Sequence, residues 1–487
     1  MSAPHAQPAT PPLPEIIQGG MGIGVSNWRL ARAVSSLGQL GVVSGTVIDT
    51  VLARRLQDGD PGGHMRRAMA HFPVPGVAAA ALEKFFRPEG ERGNAMYQLL
   101  PMYQQAVTQA REQFTMLAAF VEVWLAKEGH DGQVGINLLT KVQMPNLALL
   151  YGAMLAGVDF VLMGAGIPRD IPAALDAMAL HRPAEMRLDV EQATAGNVQY
   201  LRFDPSNHWP DPPAPLKRPK FLPIVGSHSL AVMLAKKTPG IDGFVVEGPT
   251  AGGHNTPPRE KGVFDANGEP VYGPRDDADL AKIRELGLPF WIAGGAGSPG
   301  RLAEARAAGA AGVQVGTLFA YCEESGLAEH IRRSVLESAA RGEVRVRTDG
   351  RASPTGFPFK VVSWPGDPAD GAPRERICDL GYLRNAYEKP DGSIGYRCAS
   401  EPDDQFVAKG GDPADLAGRK CLCNALLSTI GHAQERPVGA EPPLLTSGDD
   451  AALLGTFLAG RTRYHAADVV AWLQSGAGAR LDTPAGA

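Results

Sequence analysis

Residues 290–319 read FWIAGGAGSPGRLAEARAAGAAGVQVGTLF. An apolar run, 290–293, breaks on Gly294-Gly295-Ala296-Gly297-Ser298, and Pro299 stands where a helix would begin. A helical pattern covers 301–308, and a second apolar run, 313–315, ends in Gly316-Thr317. Glycines let backbone N–H groups approach a phosphate, and the start of a helix adds unpaired donors and a favourable dipole. A phosphate site after the last two strands is what a (β/α)8 barrel offers. The stretch also holds a literal GxGxxG at Gly295, Gly297 and Gly300, so a dinucleotide-binding sheet has to be weighed. That fingerprint needs an acidic residue about 20 positions on, at the end of the next strand. Here the next strand ends in Gly316-Thr317, which favours the barrel, with tight turns lacking any ligand as the remaining reading.

Outward from this stretch, short apolar runs bounded by Gly, Pro or Asp recur at 16–18, 41–44, 134–138, 160–163, 221–225 and 243–247, making eight candidate strands with the two above. Helical patterns at 27–37, 147–156, 230–237 and 279–286 alternate with them. Eight βα units predict an α/β fold closed as a (β/α)8 TIM barrel over 16–342. The intervals 46–133 and 168–220 are too long for simple crossovers and read as insertions, the second with a hairpin-like 186–203. Insertions after barrel strands commonly form lids over the C-terminal face. Beyond residue 343 the pattern turns Pro/Gly-rich and strand-poor to 425, with helical stretches at 426–430 and 466–474. The span 343–487 therefore reads as an appended C-terminal region.

Composition narrows the function classes. The apolar fraction of 44%, charged fraction of 20% and net charge of −5 are those of an ordinary globular protein, and no Lys/Arg block tracks a nucleic-acid backbone. Residues 1–15 are Pro/Ala-rich without the basic start and apolar core of a secretory signal, and read as a disordered tail. The most apolar stretch, 147–163, contains Asp159, Gly152 and Gly157, which makes it helix-turn-strand rather than a membrane span. Five cysteines without a signal point to a reducing, cytoplasmic setting.

Three further segments carry candidate chemistry. In Gly243-Phe244-Val245-Val246-Glu247-Gly248-Pro249-Thr250-Ala251-Gly252-Gly253-His254, a buried strand runs into a glycine loop that ends on an imidazole. Such a group transfers protons near neutral pH, although a single loop histidine is more often a surface or capping residue. Gln18-Gly19-Gly20-Met21-Gly22 ends the first strand, and Gly135-Ile136-Asn137-Leu138 ends the third. Backbone amides at Gly20 to Gly22 and the Asn137 carboxamide suit the edge of a heterocycle, or equally a turn and a cap.

Taken together, IIQGGMG, VGIN, VEGPTAGGH and IAGGAGS followed by GVQVGTLF, in this order between residues 16 and 319, resemble the nitronate monooxygenase family and the related FMN-dependent enoyl-ACP reductases. The resemblance implies FMN across the C-terminal face, its phosphate on Gly294, Gly295, Gly316 and Thr317. The flavin ring is then expected near Gly20, Met21, Gly22 and Asn137, with Gly252 and Gly253 alongside. Ser227 falls where relatives place a small or basic flavin-contacting residue, and His254 matches the family's active-site histidine. The implied activity is oxidation of nitronates or nitroalkanes with O2. The alternatives are an NAD(P)H-dependent reductase of an enoyl thioester or quinone, and a non-catalytic protein that binds flavin or a phosphate ligand.

The sequence departs from many relatives in the residues before its AGGH and in the length of 46–133, which leaves substrate choice open. Cys378, Cys398, Cys421 and Cys423 lie in the appended region; lacking C-x2-C pairs, they read as packing residues rather than a metal site. The CLCN at 421–424 also resembles tails found in that family.

Overall fold

The computed structural model describes residues 12–476 except positions 212, 261, 370 and 373, so most of the N-terminal tail lies outside the described residues. Eight strands form a closed parallel barrel: β1 (Ile16–Gln18), β2 (Leu40–Ser44), β3 (Val134–Leu139), β4 (Phe160–Gly164), β5 (Lys220–Val225), β6 (Phe244–Glu247), β7 (Phe290–Ala293) and β8 (Gly312–Val315). Closure is made where Ile16 and Gln18 stand opposite Val313 and Val315. The eight candidate strands of the sequence are these eight, with bounds differing by a residue or so at the ends.

The strands are apolar on both faces because both are covered. Ile17, Val42, Leu162, Leu222, Val245 and Trp291 pack together inside the cylinder. Their neighbours, among them Ile16, Val43, Ile136, Val161, Phe244 and Val313, join the larger cluster beneath the helices. The Trp291 indole donates to the Pro14 carbonyl at 2.8 Å, so the chain just before β1 is tied to the barrel interior.

The interval 46–133 holds four α-helices, Ile48–Gln57, His64–Met69, Val77–Phe85 and Gln109–Lys127. The last packs on Trp28–Ser36 and Asn146–Leu155 and serves as the crossover between β2 and β3. In 168–220, helix Ile171–Ala179 precedes an antiparallel hairpin, Ala184–Leu188 with Gln199–Phe203.

The segment expected to be strand-poor contains four short strands. Arg345–Asp349 pairs with Phe359–Ser363, and Asn385–Glu388 with Ile394–Arg397. Asn385–Glu388 also pairs in parallel with Val190–Glu191 of the second inserted interval. These strands, such as RVRTD and NAYE, are short and carry charges, so no apolar run marks them.

The chain after residue 343 crosses the mouth of the barrel. His254 forms an isolated antiparallel bridge with Phe359, and the Lys360 amide donates to the Gly253 carbonyl at 2.9 Å. A buried polar knot joins it to the first inserted interval: Arg111 and Asp49 are paired at 2.8 Å with side chains 4% and 2% exposed. The Tyr382 hydroxyl donates to the same carboxylate at 2.6 Å and lies 2.8 Å from Thr50 Oγ1. Charges are kept in such a place only when paired and hydrogen-bonded.

Candidate active site

At the C-terminal end of the barrel strands lies a cavity of about 190 Å³. Its floor is built from the loops after β1, β6, β7 and β8, and its roof from the chain beyond residue 343. Gly20, Met21, Gly22, Asn137, Gly252, Gly253, His254, Gly294, Gly295, Gly316 and Thr317 all line it. Ser227 does not. It is the N-cap of helix His228–Lys237, where its hydroxyl accepts from the Leu230 amide at 3.3 Å.

The loop after β1 is wound on Ser26, whose hydroxyl accepts from the Met21 amide at 2.9 Å and donates to the Gly19 carbonyl at 2.9 Å. Gly20 lies against β3 so closely that a β-carbon there would sit 2.3 Å from Asn137 Cβ. The Asn137 amide in turn reaches the Gly20 carbonyl at 3.4 Å. After β7, Gly294 and Gly295 have φ of 84° and 65°, and a β-carbon on Gly294 would meet the Ala251 amide nitrogen at 3.0 Å. Positive φ and close approach together explain the paired glycines.

The Thr317 hydroxyl accepts from the Gly448 amide at 2.9 Å, which leaves its own proton free to donate. Gly448 belongs to a stretch that spans three barrel loops. The Gly253 amide donates to Thr446 Oγ1 at 2.9 Å, and the Asp449 amide to the Thr250 carbonyl at 2.9 Å. The Gly297 amide donates to the Asp450 carboxylate at 2.9 Å. One amide of the glycine loop is thus taken by the chain itself.

His254 sits between cavity and roof. Its Nε2 lies 2.7 Å from Ser353 Oγ, and its ring meets Phe359 edge-on at 4.9 Å between centroids. Burial, with the Lys141 ammonium adding to it, pushes the imidazole down to about 4, so it is neutral at physiological pH.

Residues that sequence reasoning passed over also line the cavity. Glu247 closes β6, and burial pushes its carboxyl up to about 8, so it is protonated at neutral pH. The signal was an acid ending an otherwise apolar strand. Gln314, in the middle of VQV, lines the cavity, and its Oε1 is a buried acceptor without a hydrogen-bond partner. Tyr382 and Asp450 line it too, from a part of the chain whose sequence carried no hint of the site; Ser353, from the same part, touches His254 without lining the cavity. Among the described residues no group of three or more His, Cys, Asp or Glu is placed to hold a metal ion, and all five cysteines are free. The Cys378 thiol is hydrogen-bonded with Cys398, and this contact together with burial holds it well above the usual thiol range.

Fold and cavity define the class of protein: a closed parallel (β/α)8 barrel with its candidate site at the carboxyl ends of the strands. Residues 186–354 match the family described as nitronate monooxygenase. Over 189 residues, 38% of this chain, it is 29% identical to a nitronate monooxygenase of Paraburkholderia phytofirmans, spanning about half (49%) of that relative's length. Similar solved structures include FabK from Thermotoga maritima, with 16% identity, TM-score 0.47, and 94% and 91% of the two chains covered. Nitroalkane oxidase from Streptomyces ansochromogenes is another, with 16% identity, TM-score 0.44, and 94% of each chain covered. The likeness to nitronate monooxygenases is thus carried by residues 186–354, about a third of the chain. No helix among the described residues is long and apolar enough to cross a membrane.

Proposed function

We propose that this chain is an FMN-dependent nitronate monooxygenase that oxidises alkyl nitronates, or nitroalkanes after loss of their α-proton, with O2. One observation carries the reading: glycine loops after β1, β6, β7 and β8 meet a neutral imidazole in a single cavity. The residues present fit the cofactor. Gly294, Gly295, Gly316 and Thr317 would hold its phosphate, because their backbone is open to close approach and the Thr317 hydroxyl has a proton to give. Gly20, Met21, Gly22 and Asn137 would border the ring, with Gly252 and Gly253 alongside, and the orphaned Gln314 Oε1 would accept a ring N–H.

When bound, FMN would supply the electron acceptor. The protein's part is proton handling and exclusion of water. Neutral His254 would take the α-proton of a nitroalkane, a step that its low basicity slows but that its constant neutrality keeps available across the physiological range. Glu247, protonated beside the same cavity, is a candidate donor toward a developing negative charge. The roof formed by Phe359, Leu444 and Leu445 limits water access.

A second reading, an NAD(P)H-dependent FMN reductase of enoyl thioesters or quinones, draws support from the apolar end of the cavity. Val47, Leu139, Val142, Leu383, Leu422 and Leu426 leave room there for a long alkyl group. The test begins with the absorbance spectrum of the purified protein and identification of any released flavin. Steady-state oxygen consumption with a preformed nitronate is then compared with anaerobic bleaching of the flavin by NADPH. Fast bleaching without nitronate turnover selects the reductase, and a colourless protein that takes up no FMN overturns both readings.

A further inference from the structure

The cavity imidazole is connected to a second, separate cleft. Ser353 Oγ, on a fully buried residue, lies 2.7 Å from His254 Nε2 and 2.8 Å from Thr355 Oγ1. The Thr355 amide donates to Ser353 Oγ at 3.2 Å, and the Phe357 amide to Thr355 Oγ1 at 3.4 Å. The loop is held by Arg419, whose guanidinium donates to the Ser353 carbonyl at 2.6 Å. Thr355 is half-buried and lines a polar cleft of about 170 Å³ with Glu191, Arg397, Asp412 and Asp415. That volume is ample for several waters, which need roughly 10–15 Å³ each by this measure. Among the described residues the other ring nitrogen, Nδ1, makes no hydrogen bond, which leaves it as the ring nitrogen available to the cavity.

We propose that His254, Ser353 and Thr355 form a proton relay that joins the cavity to this cleft, with Ser353 and Thr355 as positioning residues. The inference rests on the reading of His254 as the group that exchanges protons with the substrate. The donor count supports movement in both directions. With Nε2–H donating, Ser353 accepts from the ring and from the Thr355 amide and donates to Thr355 Oγ1. With the chain reversed, Ser353 accepts from the Thr355 amide and the Thr355 hydroxyl and donates to Nε2. Each arrangement gives Ser353 two accepted bonds and one donated, so reversal breaks none.

The step balances without charging the ring. A C–H bond of the substrate breaks and its proton forms a bond to Nδ1. The Nε2 proton passes to Ser353 Oγ, the Ser353 proton to Thr355 Oγ1, and the Thr355 proton to water in the cleft. No electrons are transferred. The reverse sequence, with Nδ1–H protonating the product, restores the first tautomer. A ring beside Lys141 and inside an apolar wall resists becoming imidazolium, and this path spares it from doing so.

The test uses the full-length holoprotein for kinetics and ¹⁵N-histidine-labelled full-length protein for NMR. Ser353→Ala and Thr355→Val are expected to lower kcat on a neutral nitroalkane about tenfold or more, less than the roughly hundredfold or greater loss that removing a general base itself brings. KM and turnover of the preformed nitronate should stay within about twofold, and Ser353→Thr should recover most of the loss. In the NMR arm, Ser353→Ala should move the Nδ1 and Nε2 resonances of neutral His254 in opposite directions, as a changed tautomer balance requires. Equal losses on both substrates, or unmoved His254 resonances, overturn the relay. If Ser353→Ala does not fold, Thr355→Val decides by the same measures. A wild-type protein inert toward nitroalkane but showing the resonance shift overturns the substrate assignment above and supports the relay.

Discussion

The Gly297 amide donates to the Asp450 carboxylate at 2.9 Å, and a β-carbon on Gly297 would come within 2.8 Å of that same oxygen. A loop whose glycines resemble a phosphate cradle thus already hosts an acid from more than 150 positions later in the chain. Burial raises the Asp450 carboxyl above its ordinary value. A phosphate bound at Gly294 and Gly295 would meet this group as a like charge.

Asp450→Asn keeps an acceptor for Gly297 and removes the charge. Deflavinated protein carrying it should bind FMN about fivefold tighter, which corresponds to about 1 kcal/mol from a like charge several ångströms away. Fluorescence quenching on titration with FMN measures this; equal or weaker binding means that the carboxylate does not crowd the phosphate.

Replacing His254 by Asn should suppress turnover of a neutral nitroalkane far more than turnover of the preformed nitronate, which needs no base. With the imidazole near 4, the nitroalkane profile should be flat on its acid limb from about pH 6 and fall only below about pH 5. A plot of kcat/KM against pH checks the value, and an inflection near 6.5 shows an imidazole in ordinary surroundings.

Glu247 makes a stability prediction with a definite sign. Its folded-state value, about 8, lies above the roughly 4.3 of an unfolded chain. Its contribution to stability is therefore full below the unfolded value and is lost as pH rises through about 8. Glu247→Gln should melt close to wild type at pH 5 and a few degrees above it at pH 9. Calorimetric scans at the two pH values make the comparison; a constant difference means that the carboxyl is not kept protonated.

The Asp49–Arg111 pair should be far less forgiving than its neighbour Tyr382. Arg111→Ala leaves a carboxylate buried and uncompensated, at a cost of about 3–5 kcal/mol. Tyr382→Phe removes one hydrogen bond to that carboxylate and should cost about 1–3 kcal/mol. Denaturant melts rank the two variants, and similar small losses in both would show that the knot does not brace the roof.

Much of the barrel is legible in the sequence because each strand is covered on both faces. Runs such as FVVE and FWIA are apolar throughout, and their glycine endings punctuate the chain. Most of the candidate site was legible for the same reason, since the expected residues lie at the ends of those runs. Ser227 stands apart because a serine after a strand also serves as a helix cap, and local sequence does not separate the two uses. The roof escaped notice because its strands are short and each is interrupted by a charged residue, as in RVRTD and FKVVS, so none has a periodic signature.

Local sequence by itself determined the order of the barrel strands, the glycine turns and the imidazole that follows β6. Periodicity and backbone freedom are properties of neighbouring residues, and they need no distant partner. Only the tertiary structure decided that Asp450 reaches Gly297, that Ser353 meets His254 and that Tyr382 closes over Asp49. Those contacts join segments about 100 to 330 positions apart, and they exist because the chain after the barrel must bury its own apolar face across the open ends of the strands.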